Sequence, residues 1–350
     1  MQNKNTKLLF ESWRAFLKEE ETIVKPPAAG QKPNVAKGDQ NSIAAKLTAA
    51  FKAGPAATRV FLNSEEGKSE ECRALLASGG AGKNVGDTVK VEGPTDISVA
   101  GKIPTQNFID MMQSISFPLG SYESLIKTLN AKKGFGTIVV DKNLIIDGHH
   151  RWSGIFAFYP DGTINAINVS WPGQNTQEKL AAAQLTIAAK LGAGKEMPTA
   201  TGEPATNILG KSAIEIAKMA LQNVNKQTDP KAPGALMNDE MMNKIIKNKD
   251  GDAAIVYEWA GLDKSVTDIK KLRQAIAIKV GKNLKQIKSN PQAPERADMP
   301  QFDPKRGGPD FSDVVPDLKT GKYNVAPPFA ESLLRKQIKK IVLEEIKRKK

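Results

Sequence analysis

Residues 144–159 read LIIDGHHRWSGIFAFY. Leu144, Ile145 and Ile146 form the short apolar run that ends a buried strand. Trp152, Ile155, Phe156 and Tyr159 then recur at the i, i+3, i+4, i+7 spacing of a helix face. Asp147-Gly148-His149-His150-Arg151 lies between them and contains both histidines of the protein. The motif therefore falls on a strand-to-helix turn, which aims free backbone N–H groups and the positive end of a helix dipole at whatever sits above it. That arrangement suits a phosphate or a carboxylate. Gly148 permits close backbone approach, and Arg151 adds a planar bidentate donor. Each charge-assisted hydrogen bond at such a turn contributes about 1.5–3 kcal/mol.

Outward from the turn, the patterning predicts a mixed α/β unit over residues 85–173. Val89 and Val91 mark a short strand, Gly93-Pro94 a turn, and Ile97, Val99 and Ile103 a second extended piece. Phe108, Met111, Met112 and Ile115 define a helix face, and Ser121 is placed to cap a helix whose inner face carries Tyr122, Leu125, Ile126 and Leu129. Thr137 to Val140 and Thr163 to Val169 complete the strands on either side of the motif.

Beyond residue 173 the chain reads as mainly helical to 290, with segments near 175–192, 207–224, 238–248 and 265–289 separated by Gly, Pro, Asn and Asp clusters. Met237, Met241 and Met242 read as adaptable core. Eight of the 21 prolines fall within 291–328, which predicts an extended segment laid over a surface. Residues 329–350 form a basic helix, with eight Lys/Arg against three Glu between 330 and 350. At the other end, residues 1–25 hold an amphipathic helix with Leu9, Trp13, Phe16 and Leu17 on one face. A linker with short helices near 41–53 and 64–78 follows over 26–84. The terminal helices suit docking on a partner or packing on their own core. The fold class expected is α+β: a small mixed β-sheet with helices, then a mainly helical region, with helical termini.

The net charge of +13 favours an acidic partner such as nucleic acid, nucleotide or an anionic surface. Cys72 is the sole cysteine, which excludes an intramolecular disulfide and a cysteine-based metal cluster and fits a reducing interior. No apolar run approaches the roughly 20 residues of a membrane helix. The expected location is the cytoplasm of a host cell, or a particle assembled there. Two glycine-containing stretches fail the phosphate-loop pattern: in 78–86, Ala77 and Asn84 stand where Gly and Ser/Thr belong, and GKS at 210–212 has Ala205 at the first glycine position.

The strand, IIDGHHRW turn, helix and further strand, preceded by KIPTQ at 102–106 and a helix pair, resemble the ParB/sulfiredoxin superfamily over about residues 89–172. The Asp-Gly-His-His-Arg version looks most like the ParB-like nuclease-annotated proteins and the free-serine kinases. The resemblance implies a ParB/sulfiredoxin-like domain in which this turn binds nucleotide phosphates. His149 stands where sulfiredoxins carry their reactive cysteine, which argues against thiol phosphoryl chemistry. NTQEKLAAAQL at 175–185 departs from the ParB nucleotide-binding helix, and no helix-turn-helix follows, so a DNA-clamp role is not implied. The termini resemble peptides on proteins of large marine tailed phages, which implies a phage protein targeted to a virion or a replication assembly.

Two functions follow. In the first, Gly148, His149, His150 and Arg151 bind the phosphate of a nucleotide or nucleic acid, carried with Mg2+. His149 or His150 stabilises phosphoryl charge, and Asp147 or Asp110 orients a metal or nucleophile, as a kinase, NTPase or nuclease requires. Asp147 suits a structural role, capping the turn, somewhat better than a catalytic one. Direct metal ligation by the two histidines lacks the further ligands that zinc needs. In the second, the protein is a non-catalytic virion or assembly component that docks through its terminal helices.

Overall fold

The structure, a computed structural model, describes residues 42–77, 89–199, 206–226 and 234–327, together with Phe329. The terminal helix expected over 1–25, that over 329–350 apart from Phe329, and the glycine-rich stretch 78–86 lie outside these residues.

The described chain begins with α1 (Ile43–Ala53), α2 (Pro55–Asn63), α3 (Glu65–Lys68) and α4 (Glu70–Leu76). The helix over 55–63 was not expected from the sequence. Gly54 breaks the run at φ 100°, and Pro55 restarts it at the first helical position. Ser64 and Ser69 then cap the next two helices through their hydroxyls.

Five strands form one mixed sheet among the described residues: β1 (Lys90–Ser98), β2 (Ile103–Pro104), β3 (Lys133–Asp141), β4 (Leu144–Asp147) and β5 (Thr163–Ser170), in the order β1-β5-β3-β4-β2. β1–β5 and β3–β4 are antiparallel, whereas β3–β5 and β2–β4 are parallel. Gly93-Pro94 is not a turn between two strands. It lies inside β1, where the register shifts between Glu92 and Thr95. An edge strand tolerates proline because the missing N–H faces no neighbour.

The remaining helices are α5 (Met111–Leu119), α6 (Tyr122–Ala131), α7 (His149–Phe156), α8 (Thr176–Leu191), α9 (Ala213–Gln222), α10 (Asp239–Lys247), α11 (Ala254–Ala260), α12 (Ile269–Leu284) and α13 (Phe311–Lys319). Three differ from the sequence reading. The segment at 207–212 is not helical: Asn207 bridges to Asp110 and the chain turns at Leu209-Gly210. Ser212 then starts α9 in a capping box with Glu215, which gives the GKS stretch a structural task. The helix α11 lies in a stretch that had carried no expectation, and α13 interrupts the proline-rich segment, with Phe311, Val314 and Leu318 buried.

Alternation along the strands sorts their side chains into two cores. Ile138, Val140, Ile145 and Ile164 join one core with Ile115, Leu125, Trp152 and residues of α9 to α12, including Met237, Met241 and Met242. Val139, Ile146 and Val169 join the other, with Leu47, Leu62, Leu185, Phe302 and Val314. The sheet is thus covered on both faces, and the helical region after residue 173 contributes to each core. No helix among the described residues is long and apolar enough to cross a membrane.

Candidate functional site

The buried pair Ile145 and Ile146 fixes β4 within the sheet, and the chain then reverses at Gly148, whose φ of 86° is left-handed. A side chain there would be strained by the backbone alone. It would also place a Cβ 2.6 Å from Ile138 Cγ2 and 3.0 Å from Arg151 Nε and one of its terminal nitrogens. Gly148 caps α7 but offers no side chain to the N–H groups of its first turn.

The helix is held by its far side. Trp152 is 1% exposed and donates its indole N–H to Val99 O at 3.0 Å. It belongs to the core. Ser153 meets Ser114 of α5 hydroxyl to hydroxyl at 2.6 Å. A Cβ on Gly154 would come within 2.7 Å of Ser114 O, so the two helices pack at a distance that only glycine allows.

His149 and His150 are both tied to neighbouring backbone. Nε2 of His149 accepts from the Thr105 N–H at 3.1 Å, and Nε2 of His150 accepts from the Asp110 N–H at 3.3 Å. Burial, with the other basic groups around them, pushes each pKa down to about 3. Both rings are neutral at physiological pH, and with Nε2 accepting, the proton sits on Nδ1. The Nδ1 of His150 has no acceptor among the described residues.

Asp110 caps α5: one carboxylate oxygen accepts from Met112 N–H at 2.8 Å, Gln113 N–H at 3.4 Å and the Thr206 hydroxyl at 2.8 Å. It stands beside His150 through its backbone. Asp147 pairs with Arg151 at 2.8 Å. Burial raises the Asp147 carboxyl, and the Arg151 charge and the Gly148 N–H pull it back. The turn thus brings Asp147, Gly148, His149, His150 and Arg151 together, with Asp110 at its side.

Sequence reasoning missed the roof. The segment 296–310 lies across from the turn and forms the other wall of an open cavity of about 500 Å³, lined by the turn residues together with Gln106, Arg296, Asp303, Lys305, Arg306 and Asp310. Asp303 is engaged by Arg306 at 3.5 Å, and Asp310 caps α13. Arg296 has no hydrogen bond from its guanidinium and no carboxylate partner among the described residues. Its pKa is lowered by burial and by the nearby Arg306 charge, and the Asp110 carboxylate offsets part of this. Gln106 is 5% exposed, yet its side-chain Nε2 has no partner among the described residues. The lining thus brings together the first turn of a helix without a side-chain cap, the Arg296 guanidinium, an amide donor without a partner among the described residues, and the carboxylates of Asp147, Asp303 and Asp310. The visible signal was the density of charge in PERADMPQFDPKRGG at 294–308, where Arg296, Lys305 and Arg306 stand among Glu295, Asp298 and Asp303 in a segment read as a surface strap.

No group of three or more His, Cys, Asp or Glu among the described residues is placed to hold a metal ion. Comparison with family models, with curated proteins and with solved structures gives no match for this chain.

Proposed function

We propose that the protein binds the phosphate of a nucleotide or nucleic acid in the cavity above the Asp147–Arg151 turn. The reading rests on one observation above all: Arg296 reaches this cavity from a distant part of the chain with no carboxylate within ion-pair distance among the described residues, and only the Asp110 charge beyond that distance acts in its favour. An arginine held near a second arginine by the fold is relieved by an anion. The uncapped first turn of α7 and the free Nε2 of Gln106 supply neutral donors to the same group.

The resemblance to the ParB/sulfiredoxin superfamily supports phosphoryl transfer, or hydrolysis of a nucleotide or phosphodiester, as the chemistry. In that role Arg151, Arg296 and Arg306 stabilise developing phosphoryl charge, and His150 contributes a neutral N–H donor rather than acting as a base. Asp147, Asp303 and Asp310 line the same cavity, the first two paired with Arg151 and Arg306, and are the carboxylates that a magnesium ion carried on the phosphates would meet.

Calorimetric titration with tripolyphosphate, ATP, CTP and a short DNA duplex, with and without magnesium, tests this reading. Saturable binding that Arg296→Ala weakens supports it, and release of labelled phosphate from a bound nucleotide supports catalysis. No binding of any phosphate compound by the folded protein overturns it.

A further inference from the structure

Arg296, Ala297 and Asp298 form a single 3-10 turn, closed by the Asp298 N–H on Glu295 O at 3.0 Å and the Met299 N–H on Arg296 O at 3.2 Å. None of the three residues is buried, whereas Met299, which follows, is 3% exposed and belongs to the core that holds Leu62 and Leu185. Core packing therefore fixes the wall after this turn but not the turn itself. A three-residue turn without buried side chains keeps one position only if polar contacts hold it.

Two side chains supply those contacts. Arg59, on α2, donates from Nη1 to Ala297 O at 2.7 Å, and the same nitrogen lies 3.7 Å from Asp298 Oδ1. Gln184, on α8 and 1% exposed, donates to Asp298 O at 2.6 Å. Arg59 also donates to the Thr199 hydroxyl, which ties a third segment to the same guanidinium. Of the three turn residues, only Arg296 lines the cavity. Arg59, Gln184 and every residue of α1 to α4 stand outside it. The ion pair with Arg59 also occupies the carboxylate of Asp298, two residues from Arg296, while Arg296 has no ion pair among the described residues.

We infer that Arg59 is a positioning residue for the cavity: it holds the turn by Ala297 O, engages the Asp298 carboxylate, and so presents the Arg296 guanidinium to the anion. Gln184 shares the task from α8. This rests on the phosphate-binding reading above and adds how that site is set: the N-terminal helices, which line no part of it, govern its strength through one arginine.

An arginine bonded to a backbone carbonyl also suits plain support of the fold, and a double-mutant cycle separates the two roles. Tripolyphosphate binding is measured by calorimetry on the full chain, on Arg59→Met, on Arg296→Ala and on the double variant, with circular dichroism checking the fold. Arg59→Met should weaken binding roughly three- to thirtyfold while Arg296 is present. In the Arg296→Ala background the same substitution should change affinity by less than about twofold, because the side chain it positions is gone. Gln184→Met removes the other contact and keeps an unbranched side chain in the core, so it should show the same dependence on Arg296 with a smaller loss. It decides the question by the same criteria if Arg59→Met does not fold.

Unchanged affinity in Arg59→Met overturns the inference and leaves phosphate binding intact. An equal loss with and without Arg296 also overturns it, and makes Arg59 a support of the wall as a whole. Absence of tripolyphosphate binding by the unsubstituted protein overturns the phosphate reading and, with it, this role for Arg59.

Discussion

The ring of His149 accepts a hydrogen bond from the backbone N–H of Thr105 at 3.1 Å, and this bond joins the helix of the DGHHR turn to the end of β2. The Thr105 hydroxyl donates in turn to Ile145 O in β4. His149 is therefore a structural acceptor as well as a lining residue of the cavity, and the two tasks make separate predictions.

The folded pKa of His149, about 3, lies below the ordinary value of 6.5. Its contribution to stability is fully present above pH 6.5 and is lost as the pH falls towards 3, because the unfolded chain takes up a proton that the native ring refuses. The loss is at most about 1.4 kcal/mol per pH unit for each such histidine, and less for the more exposed His150. Urea melts at pH 7, 6 and 5 should show declining stability before most carboxylates titrate. His149→Ala should be about 2–4 kcal/mol less stable at pH 7, from the unpaired Thr105 N–H and the cavity left behind. Its melts should also depend less on pH across this window. An unchanged slope in the variant would mean that His149 is not the titrating group.

Gly148→Ala places a side chain where φ is 86° and where Ile138 and the Arg151 guanidinium already stand. The backbone strain alone costs about 1–2 kcal/mol. Because the new methyl displaces Arg151 as well, phosphate affinity should fall more than stability does. Thermal melts and calorimetry on the same preparation separate the two. Full phosphate binding in a destabilised variant would show that Arg151 is not a ligand.

The strand-turn-helix at 144–159 was legible because its period changes from that of a strand to that of a helix within one short stretch, and Gly148 is the residue that such a reversal needs. The helix starts at Ser121 and Asn238 were legible for a similar reason, since a small polar side chain precedes each apolar face. Gly93-Pro94 misled, because a dipeptide that usually turns the chain is here absorbed in an edge strand. The roof was illegible for a deeper reason. The course of 292–303 is set by partners remote in sequence: Asn107 N–H to Pro294 O at 3.2 Å, Arg59 to Ala297 O at 2.7 Å and Gln184 to Asp298 O at 2.6 Å. Phe302 is locked edge-on against Phe311 with centroids 4.9 Å apart. A segment without periodicity carries no local record of such contacts, so Arg296 and Arg306 could be read as charged but not as facing the turn.

Asp110 offers a test of capping against catalysis. Its carboxylate serves α5 and the Thr206 hydroxyl, so Asp110→Ala should cost about 0.5–2 kcal/mol as a lost cap. Asp110→Asn retains an acceptor and should recover most of that stability. If Asp110 acted on a nucleophile, the asparagine variant would fold normally and still lose turnover, which assays of phosphate release on both variants would reveal.

Arg296 should respond in opposite directions in two measurements. In the ligand-free protein its charge has no ion pair among the described residues, is part-buried and is held near Arg306, and these costs outweigh the attraction of Asp110, so removing it relieves repulsion. Arg296→Ala should therefore leave the melting temperature unchanged or raise it, unlike the truncation of a side chain that holds the fold together. With phosphate present, the same side chain forms a charge-assisted bond worth about 1.5–3 kcal/mol, so affinity should fall roughly ten- to a hundredfold. Arg296→Lys keeps the charge but not the planar fork, and should restore part of the affinity. The stabilisation of the folded protein by saturating tripolyphosphate should shrink in step with affinity, since a ligand stabilises only as far as it binds. A variant that loses stability without ligand and keeps its affinity would instead make Arg296 a brace for the roof, and the cavity beneath it would need another source of positive charge.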